Sequence, residues 1–317
     1  MTSVLRHRIF GKACPLIAAC IALLLSGCAT IPREAMMTEP SGLLEMAPQL
    51  YVRLSGAALR DMRSHIDDRS IATIMTSYRD ESAASGSGSQ DLAFLETVLS
   101  RTRTLGFGLS GLGPAHSGVG ATSEMVLIGD FKPLSLRIAL AVDGKWRKTG
   151  DGGFVSTQYP LYIREPAPGI VHISTIEKGK KRSIGEANIY PSRYIALAKS
   201  DIFISTTALN EIFSIPMPME AASIPVIAMV AAGYAMDEGS RYTLEFRILM
   251  RDEASARLYR PVVRFLWVGA ATRLLGEGSP AAMLSPVLEG DEYIVRGIEV
   301  TGRDLKDLLL TNLSALN

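Results

Sequence analysis

The chain has 317 residues, 47% of them hydrophobic and 21% charged, with 33 basic residues against 32 acidic ones. A formal charge of +1 leaves no electrostatic footprint for nucleic acid and no broad attraction to anionic lipid. Three cysteines and four histidines, with no pair at metal-ligand spacing, supply neither a disulfide framework nor a metal motif, and no cofactor is implied.

Arg6, Arg8 and Lys12 open the chain without an acid, and Ala13 to Leu25 follow as an almost unbroken apolar run. Charge followed by a short apolar core is the order of a signal peptide. A spanning helix takes about 20 apolar residues, and this run is shorter. It closes on Leu25-Ser26-Gly27-Cys28, which resembles the lipobox of bacterial lipoproteins, in which a small residue precedes a cysteine that receives a diacylglyceryl group before the signal is cut off. The resemblance implies a signal peptide over residues 1–27, lipidation at Cys28 and a place on a cell-envelope membrane. Ala29, where an Asp would favour inner-membrane retention, points to the outer membrane. At about 0.8 kcal/mol per buried methylene, several acyl chains make a firm anchor. Loss of the signal also removes Cys14, Cys20 and three basic residues, so 33 falls to 30 against 32 acids, a balance of −2.

Residues 28–48 are rich in Pro, Met and turn formers and lack a period, which predicts a tether, with Leu43, Leu44 and Met46 able to dock. The expected folded part divides into an α+β half over 49–200 and another over 201–317. Leu50, Val52 and Leu54 alternate as in a half-buried strand, and Leu59, Met62 and Ile66 recur at helical spacing. A second helical stretch near 71–78 leads to a Gly/Ser-rich loop over 80–90 and an amphipathic helix through Leu92, Leu95, Val98 and Leu99. Leu105, Phe107 and Leu109 alternate with Gly106, Gly108 and Ser110, so the strand there has one bulky and one nearly bare face.

Met125 to Ile128 reads as a strand, Pro133 starts a helix through Val142, and short strands follow near Phe154, Tyr162, 171–176 and 184–190, the last two joined by a basic hairpin at 178–182. The second half opens with a strand over 201–205 and a short helix with Leu209, Ile212 and Phe213. Tyr242, Leu244, Phe246, Ile248 and Met250 alternate with polar residues as a strand, followed by a helical region to Leu275 that Pro261 kinks or breaks. Ser279-Pro280 starts another helix, Ile294 to Val300 forms the last strand, and Thr301-x-x-Asp304 resembles a capping box. The whole reads as α+β, a largely antiparallel sheet with helices on one face. The segments 123–146 and 240–267 share a strand, break, helix and Trp order, which suggests two duplicated units.

Gly106 to Gly111 matches GxGxxG, but no helix follows where phosphates would need one, so the glycines serve close packing. His116 sits in a Gly-rich loop, and His172 shares a strand face with Ser174 as a surface pair. The Met/Pro-rich stretch around Met217, Met219 and Met229 suits core or an adaptable apolar surface ahead of a copper(I) site. Together with Gly106, Gly108 and Ser110 it is the candidate apolar groove. The leading expectation is a noncatalytic, membrane-anchored envelope lipoprotein that binds a protein or an apolar molecule in assembly or transport. The alternatives are a hydrolase using Ser110, His116 and an unplaced acid, or a surface-exposed structural or host-contact lipoprotein.

Overall fold

A computed structural model of the chain describes residues 33–66, 97–111, 122–131, 133–142, 144–157, 161–175, 189–208, 225–236, 240–275 and 280–307. The alternating segments become strands of a single sheet. In chain order they are β1 (Leu50–Ser55), β2 (Thr102–Ser110), β3 (Thr122–Gly129), β4 (Trp146–Lys148), β5 (Phe154–Ser156), β6 (Tyr162–Ala167) and β7 (Ile170–Ser174). β8 (Ile202–Thr206), β9 (Val226–Ala235), β10 (Arg241–Met250), β11 (Val287–Glu289) and β12 (Glu292–Thr301) complete them. The twelve run in the order β11-β12-β10-β9-β8-β1-β2-β3-β7-β6-β5-β4. Each neighbouring pair is antiparallel.

The order has an internal symmetry about the β1–β8 pair. On one side β1, β2 and β3 lie in sequence order and the last described strand before β8, β7, pairs with β3. On the other side β8, β9 and β10 do the same and the last strand, β12, pairs with β10. A helix follows the third strand in both halves.

Several helices owe their ends to local chemistry. α1 (Arg33–Met37) opens the described chain. In α2 (Gly56–Ser64) the Ser55 hydroxyl caps the start by accepting from the Ala58 N–H. Residues 97–101 are helical and are labelled α3. α4 (Pro133–Val142) starts at its proline, where a missing N–H costs nothing. α5 (Glu253–Leu275) runs unbroken through Pro261. Its Asp252 carboxylate accepts from the Ser255 N–H at 2.7 Å, and that bond holds Asp252 below the usual carboxylate range. α6 (Pro280–Met283) is a single turn. Helical residues 302–307 form α7, and its capping box is reciprocal, with Thr301 N–H donating to Asp304 at 2.8 Å and Asp304 N–H to the Thr301 hydroxyl at 3.2 Å.

Two hydrophobic clusters lie on opposite faces of the sheet. Leu50, Val52, Leu54, Leu105, Leu109, Leu127 and Val171 pack with Ala58 and Met62 of α2, Trp267 and Ala271 of α5, and Leu305 of α7. On the other face Tyr51, Val126, Ile128, Ile170, Phe203 and Leu249 pack under Ala35 and Leu44 from the N-terminal side and under Tyr190, Tyr194 and Ala198. That second cover is made of the short α1, irregular chain and short 3-10 turns, Pro40–Leu43, Ser192–Tyr194 and Leu197–Lys199.

Two expectations change here. From Arg33 onward the segment read as tether lies on the sheet, with Ala35, Pro40 and Leu44 buried. Its residues carry enough apolar surface to be worth burying, and the bare face of β2 leaves room for them. Residues 189–190 of the strand expected at 184–190 are bends. The helices expected near 71–78 and 209–213, the loop at 80–90 and the hairpin tip at 178–182 lie outside the described residues.

Candidate functional site

Register decides what the bare strand face meets. Across four strands Gly108 pairs with Tyr51, Tyr51 with Ser205 and Ser205 with Val230, and paired residues share a face. In the next row Leu109, Leu50, Thr206 and Met229 share the opposite face. Met229 therefore lies across the sheet from Gly106, Gly108 and Ser110 and cannot line a groove with them. Pairwise alternation within one strand was legible in the sequence, but the phase between strands was not. Met217 and Met219 lie outside the described residues, as do His116 and Cys28.

The bare face is filled by the chain's own residues 33–48, hereafter strap one. A Cβ on Gly106 would stand 2.4 Å from the Pro40 Cβ, and one on Gly108 would stand 3.0 Å from the Pro48 Cβ and 3.1 Å from the Leu44 Cδ1. The missing side chains thus make a trough that accepts two prolines and a leucine. The Ser110 hydroxyl donates to the Ala47 carbonyl at 3.2 Å, which engages the oxygen considered as a nucleophile. At its outer end strap one is tied by Glu39, whose carboxylate accepts from the Tyr51 hydroxyl at 3.1 Å and stands 3.5 Å from the Arg53 guanidinium. Burial pushes Glu39 up from the ordinary carboxylate value, partly offset by Arg53. Burial likewise drives the Tyr51 phenol far up, so it stays a donor.

At its inner end strap one meets a buried polar cluster. Glu124 and His172, expected at the surface on its strand, are 2% and 0% exposed. The correction has a plain cause: Val126 and His172 pair across β3 and β7 under the strap, and the strap removes that face from water. Glu124 Oε2 accepts from the Glu45 backbone N–H at 2.6 Å and lies 3.3 Å from His172 Nε2. Arg164 Nε donates to His172 Nδ1 at 3.1 Å, and another nitrogen of its guanidinium reaches Glu45 Oε1 at 2.7 Å. A guanidinium N–H is always a donor, so Nδ1 must be the acceptor and the imidazole is neutral with its proton on Nε2. Glu124 Oε1 is buried without a hydrogen-bond partner. Among the described residues no group of three His, Cys, Asp or Glu side chains is placed to hold a metal ion.

A second cover, residues 189–200 or strap two, precedes β8 as strap one precedes β1. The Tyr194 hydroxyl donates to Glu292, and Arg193 forks onto Asp291 at 2.8 and 3.2 Å. Arg247 binds Glu292 at 2.9 Å and Glu245 at 2.5 Å. Tyr190 stacks on Tyr51 of β1, with ring centroids 6.0 Å apart, and the straps touch where Tyr190 shares a hydrogen bond with the Ser41 side chain.

Among the described residues, one face of α5 is exposed. On α5, Leu258 is 73% exposed, Phe265 67% and Val268 43%, while Ala256, Val263 and Trp267 point into the core. At 100° per residue the exposed three share a stripe with Pro261 and Gly269, and exposed Arg257, Arg260 and Arg264 line one border of it. No helix among the described residues is long and apolar enough to cross a membrane.

No protein-family model matches the chain, and no curated protein matches it. Solved structures of TP0453 are similar in fold. Crystal form I gives a TM-score of 0.52 at 13% identity, covering 92% of this chain and 100% of that one. Crystal form III gives 0.54 at 14% identity over 87% and 99% of the two chains, and form IV gives 0.52 at 12% over 86% and 97%. At such identity the likeness concerns the fold alone.

Proposed function

We propose that this chain is a noncatalytic cell-envelope lipoprotein, anchored through Cys28 to the outer membrane, whose domain rests on a lipid surface through α5 and serves envelope assembly or transport. The observation that carries the reading is the outward stripe of Leu258, Phe265 and Val268 beside three arginines, an arrangement suited to lying in a bilayer interface. The apolar side chains enter the acyl boundary and the guanidinium groups meet phosphate. The lipobox-like Leu25-Ser26-Gly27-Cys28 supports the same address.

The matching strand orders on either side of β1 and β8 support a further element of the reading, that the halves descend from one duplicated α+β unit. The segments 123–146 and 240–267 agree in strand and helix, although Trp146 begins β4 and Trp267 lies inside α5. The longer helices collect on one face in both halves, as such units would require.

Two measurements test the membrane reading. Cys28→Ser should abolish fatty-acid labelling and shift most of the protein out of the membrane fraction, whereas Cys14→Ser should do neither. The Cys28→Ser chain should still float weakly with vesicles containing anionic lipid, and Phe265→Glu should remove that residue of binding. A Cys28→Ser protein that is still labelled and still sediments with membranes overturns the anchor. Vesicle binding indifferent to Phe265→Glu overturns the role of α5.

A further inference from the structure

The buried cluster under strap one is unusual in holding a neutral histidine between two carboxylates and an arginine, with one carboxylate on a segment that has no strand pairing of its own. Among the described residues, three elements face His172 with charge: Glu124 from β3, Arg164 from β6 and, through Arg164, Glu45 from the strap. Glu124 favours charging of the ring and Arg164 opposes it. Geometry decides what charging does. A second proton on the ring sits on Nδ1, where the Arg164 Nε–H already points from 3.1 Å. Two donors then face each other, and Arg164 must turn away, carrying off the guanidinium nitrogen that holds Glu45 at 2.7 Å. The charged ring also draws Glu124 Oε2 towards itself, in competition with the Glu45 backbone N–H that shares that oxygen. Both ties to Glu45 weaken together.

We propose that strap one is a retractable part of the membrane tether, latched to the sheet by Glu45 while His172 is neutral and released when His172 takes a second proton. The consequence for reach rests on the lipoprotein reading. With the strap docked, only residues 28–33 separate the acyl group from the domain, at most about 18 Å of extended chain. With it free, residues 28–50 span up to about 75 Å. The released strap also uncovers the trough over Gly106 and Gly108.

Thiol accessibility on the full chain, acylated and reconstituted in phosphatidylcholine vesicles, reads the latch. Leu44→Cys reports a strap position 1% exposed when docked, and Met37→Cys, at 81%, corrects for the pH dependence of the reagent. Labelled sites are assigned by peptide mass. One linked proton shifts docking at most about tenfold per pH unit, so the labelling ratio should rise about 10- to 100-fold from about pH 7.5 to about pH 5.5. His172→Gln should stay protected at both, because the amide oxygen still accepts from Arg164 and the amide nitrogen still donates to Glu124. Glu45→Ala should be accessible at both. Where Leu44→Cys undocks the strap by itself, Pro40→Cys takes its place. A ratio that does not change with pH, a His172→Gln protein that opens like the wild type, or a Glu45→Ala protein that stays closed overturns the latch. An unmodified Cys28 in the peptide map would instead sink the anchor reading, while the labelling ratio would still decide the latch.

Discussion

The two straps do the same job in opposite chemical currencies. Each precedes a central strand, strap one before β1 and strap two before β8, and both lie on the same sheet face. Strap two is held by a tyrosine, two arginines and carboxylates, with no histidine among these groups. Strap one is held through a neutral histidine and lies over glycines instead of side chains. A cover of the first kind is permanent, and one of the second is conditional. Two sides of the sheet whose inner four strands follow a similar order thus differ in which cover can open.

The largest expected effect tests the permanent side. Arg247 is the shared cation of Glu292 and Glu245, and the three side chains are 22%, 8% and 18% exposed. Removing it leaves Glu292 with only the Tyr194 hydroxyl and Glu245 with only the more exposed Arg296 among the partners described. Arg247→Ala should destabilise by about 3 kcal/mol, the low end for breaking a buried pair because the arginine is partly wet. Chemical denaturation monitors this, and the loss should be similar at pH 6 and pH 8. A loss below about 0.5 kcal/mol would mean the network is ordinary surface pairing, and the contrast between straps would vanish.

The middle effect tests the glycine trough. Gly108→Leu must fit a side chain where Pro48 and Leu44 already stand, and overpacking of this kind costs about 1–3 kcal/mol. Because the strap can lift away, part of that loss should appear as strap exposure to thiol reagent rather than as global unfolding. Gly269→Ala on α5 is the internal control: nothing lies within 4 Å of the new Cβ, and a helix-interior glycine replaced by alanine gains about 0.5–1 kcal/mol. If Gly108→Leu is as harmless as that, the strap does not occupy the trough.

How far the sequence foretold these features follows from the range of the interactions. Strand alternation in β1, β2 and β10, the bounds of α4 and the Thr301–Asp304 box all arise within a few residues, and each is visible in the local pattern. The bare face of β2 was also visible, together with the inference that something approaches it closely. What approaches was not, because Pro40 and Gly106 are joined by no local period. The cluster was hidden for the same reason: Glu45 and Glu124 are 79 residues apart, and His172 and Glu124 are 48 apart. A signal did exist. His172 interrupts the apolar run of β7 and Glu124 borders that of β3, and a charged or titratable residue buried with such a run needs a buried partner. Two of them on strands that pair pointed at each other.

The smallest effect concerns the outer end of strap one and has the opposite sign to His172. Burial raises the pKa of Glu39 above its ordinary value, so the docked strap prefers the protonated acid. A group raised on folding contributes stability below its unfolded value and loses it as pH rises through its folded one. At neutral pH the Glu39 carboxylate therefore works against docking, with Arg53 and Tyr51 recovering part of the loss. Glu39→Gln mimics the protonated acid: melting curves of variant and wild type should coincide in acid and separate towards neutral pH, with the variant slightly more stable. The half-exposed carboxylate keeps that gain small. Should the variant instead be less stable at neutral pH, the ion pair with Arg53 outweighs burial, and both ends of strap one would then be held by charge. Glu39 and Glu45 would be equivalent ties, and acid would loosen the strap from both ends at once rather than from the histidine end alone.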